Sequence, residues 1–529
     1  MKNKVYKLLA ILLVLALFGC GAQPAATTAS PAETTAAPME RTGMSFEQDA
    51  VWRATKTVLV MPNTIELWVK LDKGDTDVLL STAGNGDPSI CLTVDKKGAP
   101  NLELITDCYG EISTPLRFSK VNLRTGNWEH LAIVRDDEAG KLLCYVNGEE
   151  KDSISARITQ EVLPARPYCI GGDHTPKNEN SCSGQISSVA VFSTARTQEQ
   201  IAEDMVKPEG EGLLACYDLS AVSGETVKDL SSFGNDLIRS VRWFAEKEPV
   251  TDYAYSMVVI GDTQTVAKGS PELFPKITRY IADNVEAKNI KFVMGMGDIT
   301  NDSTESEWVA ARDSYGLLDG VVPYSVARGH EGHDKAADFF TYFPYSKYAG
   351  QISGTMGDMC NVYYNFEVGE VKYLVMVLDA SPDDKEVAWA NEVIAKHPDR
   401  NVILTTHEYL YRDGTPMGVN DLYPIDHNNG DDLWEKLVRK HANISLVLCG
   451  HDPCSQVVVS QTEGDNGNIV TQMLVDGQSV DSTDGRCGLV AILYFSEDGK
   501  NVTVEYYSTI REEYFLTENQ FSFTLDTVD

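Results

Sequence analysis

Five short apolar runs in the second half of the chain each stop at a carboxylate or an imidazole, and this constrains the fold more than any other feature. Residues 256–260 lead into Gly261-Asp262-Thr263-Gln264, and residues 290–296 into Gly297-Asp298. Residues 322–327 lead into Arg328-Gly329-His330-Glu331-Gly332-His333. Residues 402–406 end at His407-Glu408, and residues 446–449 at Gly450-His451-Asp452. Continuous apolar runs of this length read as strands buried on both faces. Helical patterns lie between them, at about 271–288 and 304–318. Alternation of strand and helix predicts an α/β sheet that gathers ligands at the carboxyl ends of its strands. The five strand ends are therefore expected along one edge of a sheet. Hairpin-like runs at 363–368 and 373–378 add antiparallel strands and suggest a mixed-sheet sandwich.

A single strand-end Asp is commonly a helix N-cap, and a lone His is commonly a satisfied core group. The ordered set points elsewhere. Seven of the nine histidines follow residue 329, and four of those seven sit in these turns. Hard carboxylates combined with imidazoles suit Mn, Fe or Zn. A carboxylate between two such ions can bridge them, and an ion pair of this kind can clamp a phosphoryl group and acidify a water. The acidic pair Asp431-Asp432 reads instead as a helix start, where carboxylates favour the N-terminus.

The first half has a different texture. With 529 residues the chain is long enough for two or three domains. From 44 to 247 the pattern is short strands with turn signals, including 64–69, 128–134 and 142–146, the last running into the tight-turn dipeptide Asn147-Gly148. Regular short strands predict a β-sandwich. The balance of 45 Lys+Arg against 78 Asp+Glu, a formal charge of -33, excludes a basic nucleic-acid footprint. A phosphate substrate would need local cations to overcome that field. Ten cysteines remain after Cys20 with no Cys-x-x-Cys pair, and their pairing does not follow from sequence.

At the N-terminus Lys2, Lys4 and Lys7 precede an uncharged apolar run at 8–18, of the length of a signal-peptide core. The run closes on Leu17-Phe18-Gly19-Cys20, which resembles the bacterial lipobox, and so implies lipidation at Cys20 and an extracytoplasmic, membrane-anchored protein. Residues 21–43, rich in Ala, Thr and Pro, read as a disordered tether.

Two family resemblances divide the rest. Gly126-Asn127-Trp128-Glu129-His130-Leu131-Ala132, then Leu143-Cys144-Tyr145-Val146-Asn147-Gly148, Ile170-Gly171-Gly172, Gly184-Gln185-Ile186 and Val191-Phe192-Ser193-Thr194-Ala195-Arg196 resemble the laminin-G/concanavalin A-like module. That implies a jelly-roll sandwich over 44–247 which serves as a spacer or binds a glycan or calcium. The strand-end motifs resemble the calcineurin-like metallophosphoesterases, whose pattern is Asp-x-His, Gly-Asp, Gly-Asn-His, a strand-end His, then Gly-His-x-His. This implies an α/β/β/α domain over 248–529. By motif match Asp262 would hold a first metal, Asp298 would bridge, and His407 and His451 would hold the second. Gln264 stands where the family has His and would ligate through its amide oxygen. His330 stands for the Asn as a second-metal ligand. Glu331 or His333 would then protonate the leaving group. Pro453 replaces the last His and cannot bind metal. A secreted branch of the family is similar in its Asp-Thr-Gln start, in Trp389 before His407-Glu408-Tyr409-Leu410, and in Asp476-Gly477-Gln478 after a late strand. The implied function is hydrolysis of a phosphomonoester or phosphodiester. The alternative is a non-catalytic surface binder of glycan or phosphate with a degenerate metal site. A glycosidase would need a carboxylate pair, and none stands out.

Overall fold

The computed structural model describes residues 41–528, apart from 47–49, 83–88, 106–115, 157, 159–163, 165, 175–180, 242, 333–335, 419–426 and 481–486. The expected leader, Cys20 and the tether up to residue 40 lie outside the described residues, as does His333. No helix among the described residues is long and apolar enough to cross a membrane.

The N-terminal part is a sandwich of two antiparallel sheets. One orders the strands Met44–Ser45, Gln185–Phe192, Thr64–Lys70, Trp128–Asp136, Lys141–Val146 and Glu149–Ser155, with Leu213–Asp218 also paired to Gln185–Phe192. The other runs Thr226–Val227, Leu237–Val241, Ala50–Ala54, Cys169–Ile170, Asp77–Ser81, Ser89–Val94, Pro100–Ile105 and Leu116–Arg117. Alternation explains the packing. In Pro100–Ile105 buried and half-buried residues alternate, so Leu102 and Leu104 point inward to meet Ile65, Leu67, Val69, Leu131 and Ile133 of the facing sheet. The turn predicted at Asn147-Gly148 forms, with both residues at positive φ, +53° and +78°. This is the expected concanavalin A-like jelly roll.

The C-terminal part is a second sandwich with helices on both outer faces. One sheet carries three parallel strands, Tyr255–Ile260, Ile290–Gly295 and Tyr324–Val326, extended antiparallel by Leu489–Phe495 and Asn501–Ser508. The other carries Val371–Val377, Asn401–Thr405, Ile444–Cys449 and Ile469–Leu474, all parallel. Residue parity assigns each side chain to a layer. From Tyr255–Ile260, Met257 and Val259 enter the core between the sheets, where they meet Val375, Ile403 and Leu446. Val258 and Ile260 face the other way, under Ile277 and Trp308 of the helices Phe274–Asp283 and Glu305–Tyr315. Across the domain, Leu374, Val402 and Val447 pack under Val387 and Ala390 of Asp384–Ala395 and Leu433 of Gly430–Lys436. Burial on both faces is why these strands read as unbroken apolar runs. The order helix, sheet, sheet, helix is the expected α/β/β/α architecture.

One expectation is corrected. The five strand ends do not share an edge of one sheet. Asp262, Asp298 and His330 follow strands of the first sheet, and His407 and His451 follow strands of the second. Two sheets stacked face to face bring their carboxyl ends to one rim. The join with the first sandwich comes early, since Phe244–Ala245 already pairs with Glu513–Phe515 in the sheet that carries Tyr255–Ile260.

Candidate metal centre

The turns after the strands, not the strands themselves, aim the ligands. Gly297 has φ +105°, and Asp298 and His451 have φ +43° and +78°, a left-handed conformation that non-glycine residues adopt at a cost. These bends fold each ligand back over the rim. Thr263 N donates to the Asp298 carbonyl at 3.0 Å, which ties the first two turns together.

Asp262, Asp298 and His407 present ligand atoms that all lie within 4.8 Å of one another. Asp298 Oδ1 accepts the His330 backbone N–H at 2.9 Å and lies 3.1 Å from His330 Nδ1. It lies 3.0 Å from His407 Nε2, a short approach without hydrogen-bond direction. His407 is fully buried and donates Nδ1–H to the Met296 carbonyl at 2.9 Å, which leaves Nε2 as the nitrogen turned to the centre. The His451 backbone N–H donates to Asp262 Oδ2 at 3.0 Å, and its ring lies 5.1 Å from that of His407. The motif match thus draws five of its six metal residues together through direct contacts.

The sixth, Gln264, reaches the centre differently from the expectation. Its Nε2 donates to Asp298 Oδ2 and to Gln478 Oε1, both at 2.7 Å. It offers nitrogen where a ligand would offer oxygen, so it acts as an orienting donor. Glu331 is also corrected. It is 0% exposed, its Oε1 accepts Thr300 N–H at 2.7 Å, and its Oε2 accepts Gly329 N–H at 2.9 Å. A leaving group cannot reach a carboxyl closed off in this way. The side chain braces the two ligand turns against each other. Among the described residues, Asp262, Asp298 and His407 are the one group of three or more His, Cys, Asp or Glu side chains placed to hold a metal ion.

Asp476 was absent from the expected ligand set and belongs to this cluster. It is fully buried, it accepts from Gln478 N–H at 3.0 Å and from Gln478 Nε2 at 3.1 Å, and the same Nε2 reaches Asp262 Oδ2 at 3.5 Å. The signal was available, because the strand Ile469–Leu474 also ends in a carboxylate. Two arginines stiffen the rim. Arg328 forks onto Asp379, and Arg412 pairs with Asp452, which ties the turn after His407 to the turn after His451.

Charge is crowded here. Burial, then Asp476 and Asp298, pushes the Asp262 carboxyl well above the usual range. Burial raises Asp476 to about 6. Burial acts upward on Asp298 too, yet His407 and His330 outweigh it and hold that carboxyl well below its usual value. In return Asp298 overcomes burial and lifts both His330 and His407 to about 9. Burial, then His407, lowers His451 to about 4. Asp262 Oδ1, His330 Nε2 and His407 Nε2 are buried without a hydrogen-bond partner. Buried carboxylates and imidazole nitrogens that no hydrogen bond uses are costly alone, and a multivalent cation could take the place of the protons on His330 and His407, so the residues present fit the metals that the motifs imply.

Comparison with known proteins agrees. Residues 48–202 match the family model for the concanavalin A-like lectin/glucanases superfamily, and residues 255–455 match the model for calcineurin-like phosphoesterases. The uncharacterized protein YvnB of Bacillus subtilis (strain 168) is 30% identical over 293 residues, which are 51% of this chain and 22% of that protein. The chain therefore spans about a fifth of that relative's length. Among solved structures, a putative carbohydrate binding protein from Bacteroides ovatus is 20% identical, with TM-score 0.28, over 37% of this chain and 58% of that one. The CBM40 of Ruminococcus gnavus IT-sialidase is 18% identical, with TM-score 0.25, over 31% of this chain and 96% of that one. The protein joins a laminin-G/concanavalin A-like module at 48–202 to a C-terminal calcineurin-like phosphoesterase domain at 255–455.

Proposed function

We propose that the C-terminal domain hydrolyses a phosphomonoester or phosphodiester with one or two Mn, Fe or Zn ions. The observation that carries this reading is the Asp262–Asp298–His407 cluster, in which Asp262 and His407 each bury a ligand atom that no hydrogen bond uses. Asp298 would serve both ions, with His330, His407 and His451 completing one set and Asp262 with Asp476 contributing to the other. Ions held there would supply positive charge to the phosphoryl oxygens and acidify a water. Gln264 and Gln478 orient the carboxylates, and Glu331 holds the turns. Of the two residues considered for protonating the leaving group, Glu331 is closed off, and His333 remains the candidate from the sequence motif. The reaction is proposed to occur outside the cytoplasm, on a protein lipidated at Cys20; the support is the leader pattern ending in Gly19-Cys20.

The test is elemental analysis with turnover of p-nitrophenyl phosphate and bis-p-nitrophenyl phosphate, on wild type and Asp298→Ala. Wild type is expected to retain metal and to cleave one of the two esters, and the variant to lose both properties. A metal-free wild type, unchanged by His407→Ala, would sink the reading. It would favour a surface binder instead. One observation supports that second reading: a groove of about 930 Å³ on the first sandwich, lined by Val206, Leu230 and Phe233, which are 89%, 65% and 53% exposed. Apolar surface beside Asp204, Glu209 and Ser231 suits a glycan ring with its hydroxyls.

A further inference from the structure

We propose that the concanavalin A-like module positions the loop carrying His451, acting through the buried pair Arg53–Glu518; the proposal rests on the metal-centre reading above. Arg53 lies on the sandwich strand Ala50–Ala54 and Glu518 in the C-terminal turn Thr517–Asn519 of the phosphoesterase domain. Both side chains are 1% exposed. Arg53 Nη1 donates to Glu518 Oε1 at 2.7 Å and to Ser240 Oγ at 3.0 Å. Ser240 and Val241, in the last long strand of the sandwich, clasp the same turn: Thr517 N–H donates to Ser240 Oγ at 3.3 Å, and Val241 N–H to Thr517 Oγ1 at 3.1 Å.

The turn passes this constraint straight to the metal loop. Gln456 Nε2 donates to Glu518 Oε1 at 3.4 Å, so one carboxylate oxygen is shared between the sandwich arginine and a residue five positions after His451. Next to it Asn519 takes hold of the loop backbone with both ends of its amide. Its Oδ1 accepts Val457 N–H and its Nδ2 donates to the Ser455 carbonyl, each at 2.9 Å. From the other side Cys454 N–H donates to the Asp476 carbonyl at 3.0 Å, and His451 N–H reaches Asp262. The loop 451–457 is thus held between the metal carboxylates and the domain junction. A second bond secures the junction, from Trp243 Nε1 to the His174 carbonyl at 2.5 Å. A buried ion pair adds little net stability but breaks expensively when one partner is lost, so its directional role dominates. Groups hydrogen-bonded directly to metal ligands are worth roughly 10–100-fold in metal affinity, and a pair that acts through the loop is expected to have a smaller effect. Arg53 and Glu518 are therefore positioning residues, and the sandwich is a structural part of the metal domain.

The test compares Arg53→Met and the milder Glu518→Gln with Arg196→Met. Arg196→Met breaks the buried Arg196–Asp204 pair elsewhere in the same sandwich. Hydrogen exchange of the amides of 454–457 is read on the metal-free full chain, followed by Mn affinity by titration calorimetry. Arg53→Met is expected to speed exchange of 454–457 and to weaken Mn binding by up to about tenfold, with Glu518→Gln in between. Arg196→Met is expected to lower thermal stability while leaving the loop at wild-type exchange. The proposal is overturned if Arg53→Met leaves loop exchange at the wild-type rate, or if Arg196→Met speeds it equally. Because the exchange arm uses neither metal nor substrate, a failed phosphatase assay leaves it readable.

Discussion

Gly329 and Gly450 lie so close to the ligands that neither leaves room for a side chain. A Cβ on Gly329 would stand 1.9 Å from Asp298 Oδ1 and 2.6 Å from His407 Nε2, and one on Gly450 would stand 2.1 Å from Asp262 Oδ1. Gly329→Ala is expected to push Asp298 or His407 aside and abolish metal uptake while the chain stays folded. Circular dichroism with elemental analysis checks this, and a fully metal-loaded alanine variant would show that the space is dispensable. The same scale shows what sequence reading could reach. Asp262, Asp298, His407 and His451 were legible because a strand end delivers its next residues to the rim whatever the rest of the fold does. Glu331 was not, since the turn around Gly329 decides whether a side chain faces solvent or the backbone donors of Thr300 and Gly329. The role of Gln264 was equally hidden, because which amide atom faces the centre depends on Asp298 and Gln478 as neighbours.

Among the elements, the strand Thr64–Lys70 carries a carboxyl group that its sheet has to bury. Glu66 and the neighbouring His130 are 1% and 2% exposed. Burial, then Asp204, raises the Glu66 carboxyl to about 9, so it is protonated in the folded protein at neutral pH. Its stabilising contribution is complete below its unfolded value of 4.5 and is lost as pH rises through about 9. Burial, then Arg41, lowers His130 to about 4, so its contribution is present above 6.5 and is lost as pH falls toward 4. The two slopes oppose each other between 4.5 and 6.5, and above 6.5 Glu66 is the one of this pair that still acts. The thermal midpoint is therefore expected to fall from pH 6.5 to 9 in wild type, with His330 and His407 adding to the slope, and to fall less steeply in Glu66→Gln. Equal slopes in the two proteins would remove Glu66 as the cause. Elements were the most legible level of this chain. The helix starting at Glu305 has the capping box Thr304/Glu307, and the strand bounds follow the apolar runs.

Over the whole molecule, the net charge of -33 and the carboxylates gathered at the centre both oppose the folded state without a cation. An ion that binds only the folded chain at about a hundred times its Kd adds about 2.7 kcal/mol to stability. Mn or Zn is therefore expected to raise the melting temperature of chelator-treated protein, with little or no rise in Asp298→Asn. Differential scanning calorimetry with and without ion checks this, and an equal shift in both proteins would place the binding elsewhere. The two sandwiches also meet through buried polar groups, Arg53 with Glu518 and Trp243 with the His174 carbonyl. No run in the sequence marks that junction, because its partners lie 465 and 69 positions apart and are polar residues without periodicity.

Sequence alone determined the two architectures and most of the residues that meet at the centre. Apolar periodicity encodes which face of a strand is buried, and the residue after a buried strand is carried to the rim by chain connectivity. Only the tertiary structure decided that two sheets share the centre, that Asp476 joins it, that Glu331 is closed off and that the first sandwich is bolted to the His451 loop. Those outcomes depend on which distant side chains meet in a medium where each buried donor and acceptor needs a partner, and sequence spacing does not record that pairing.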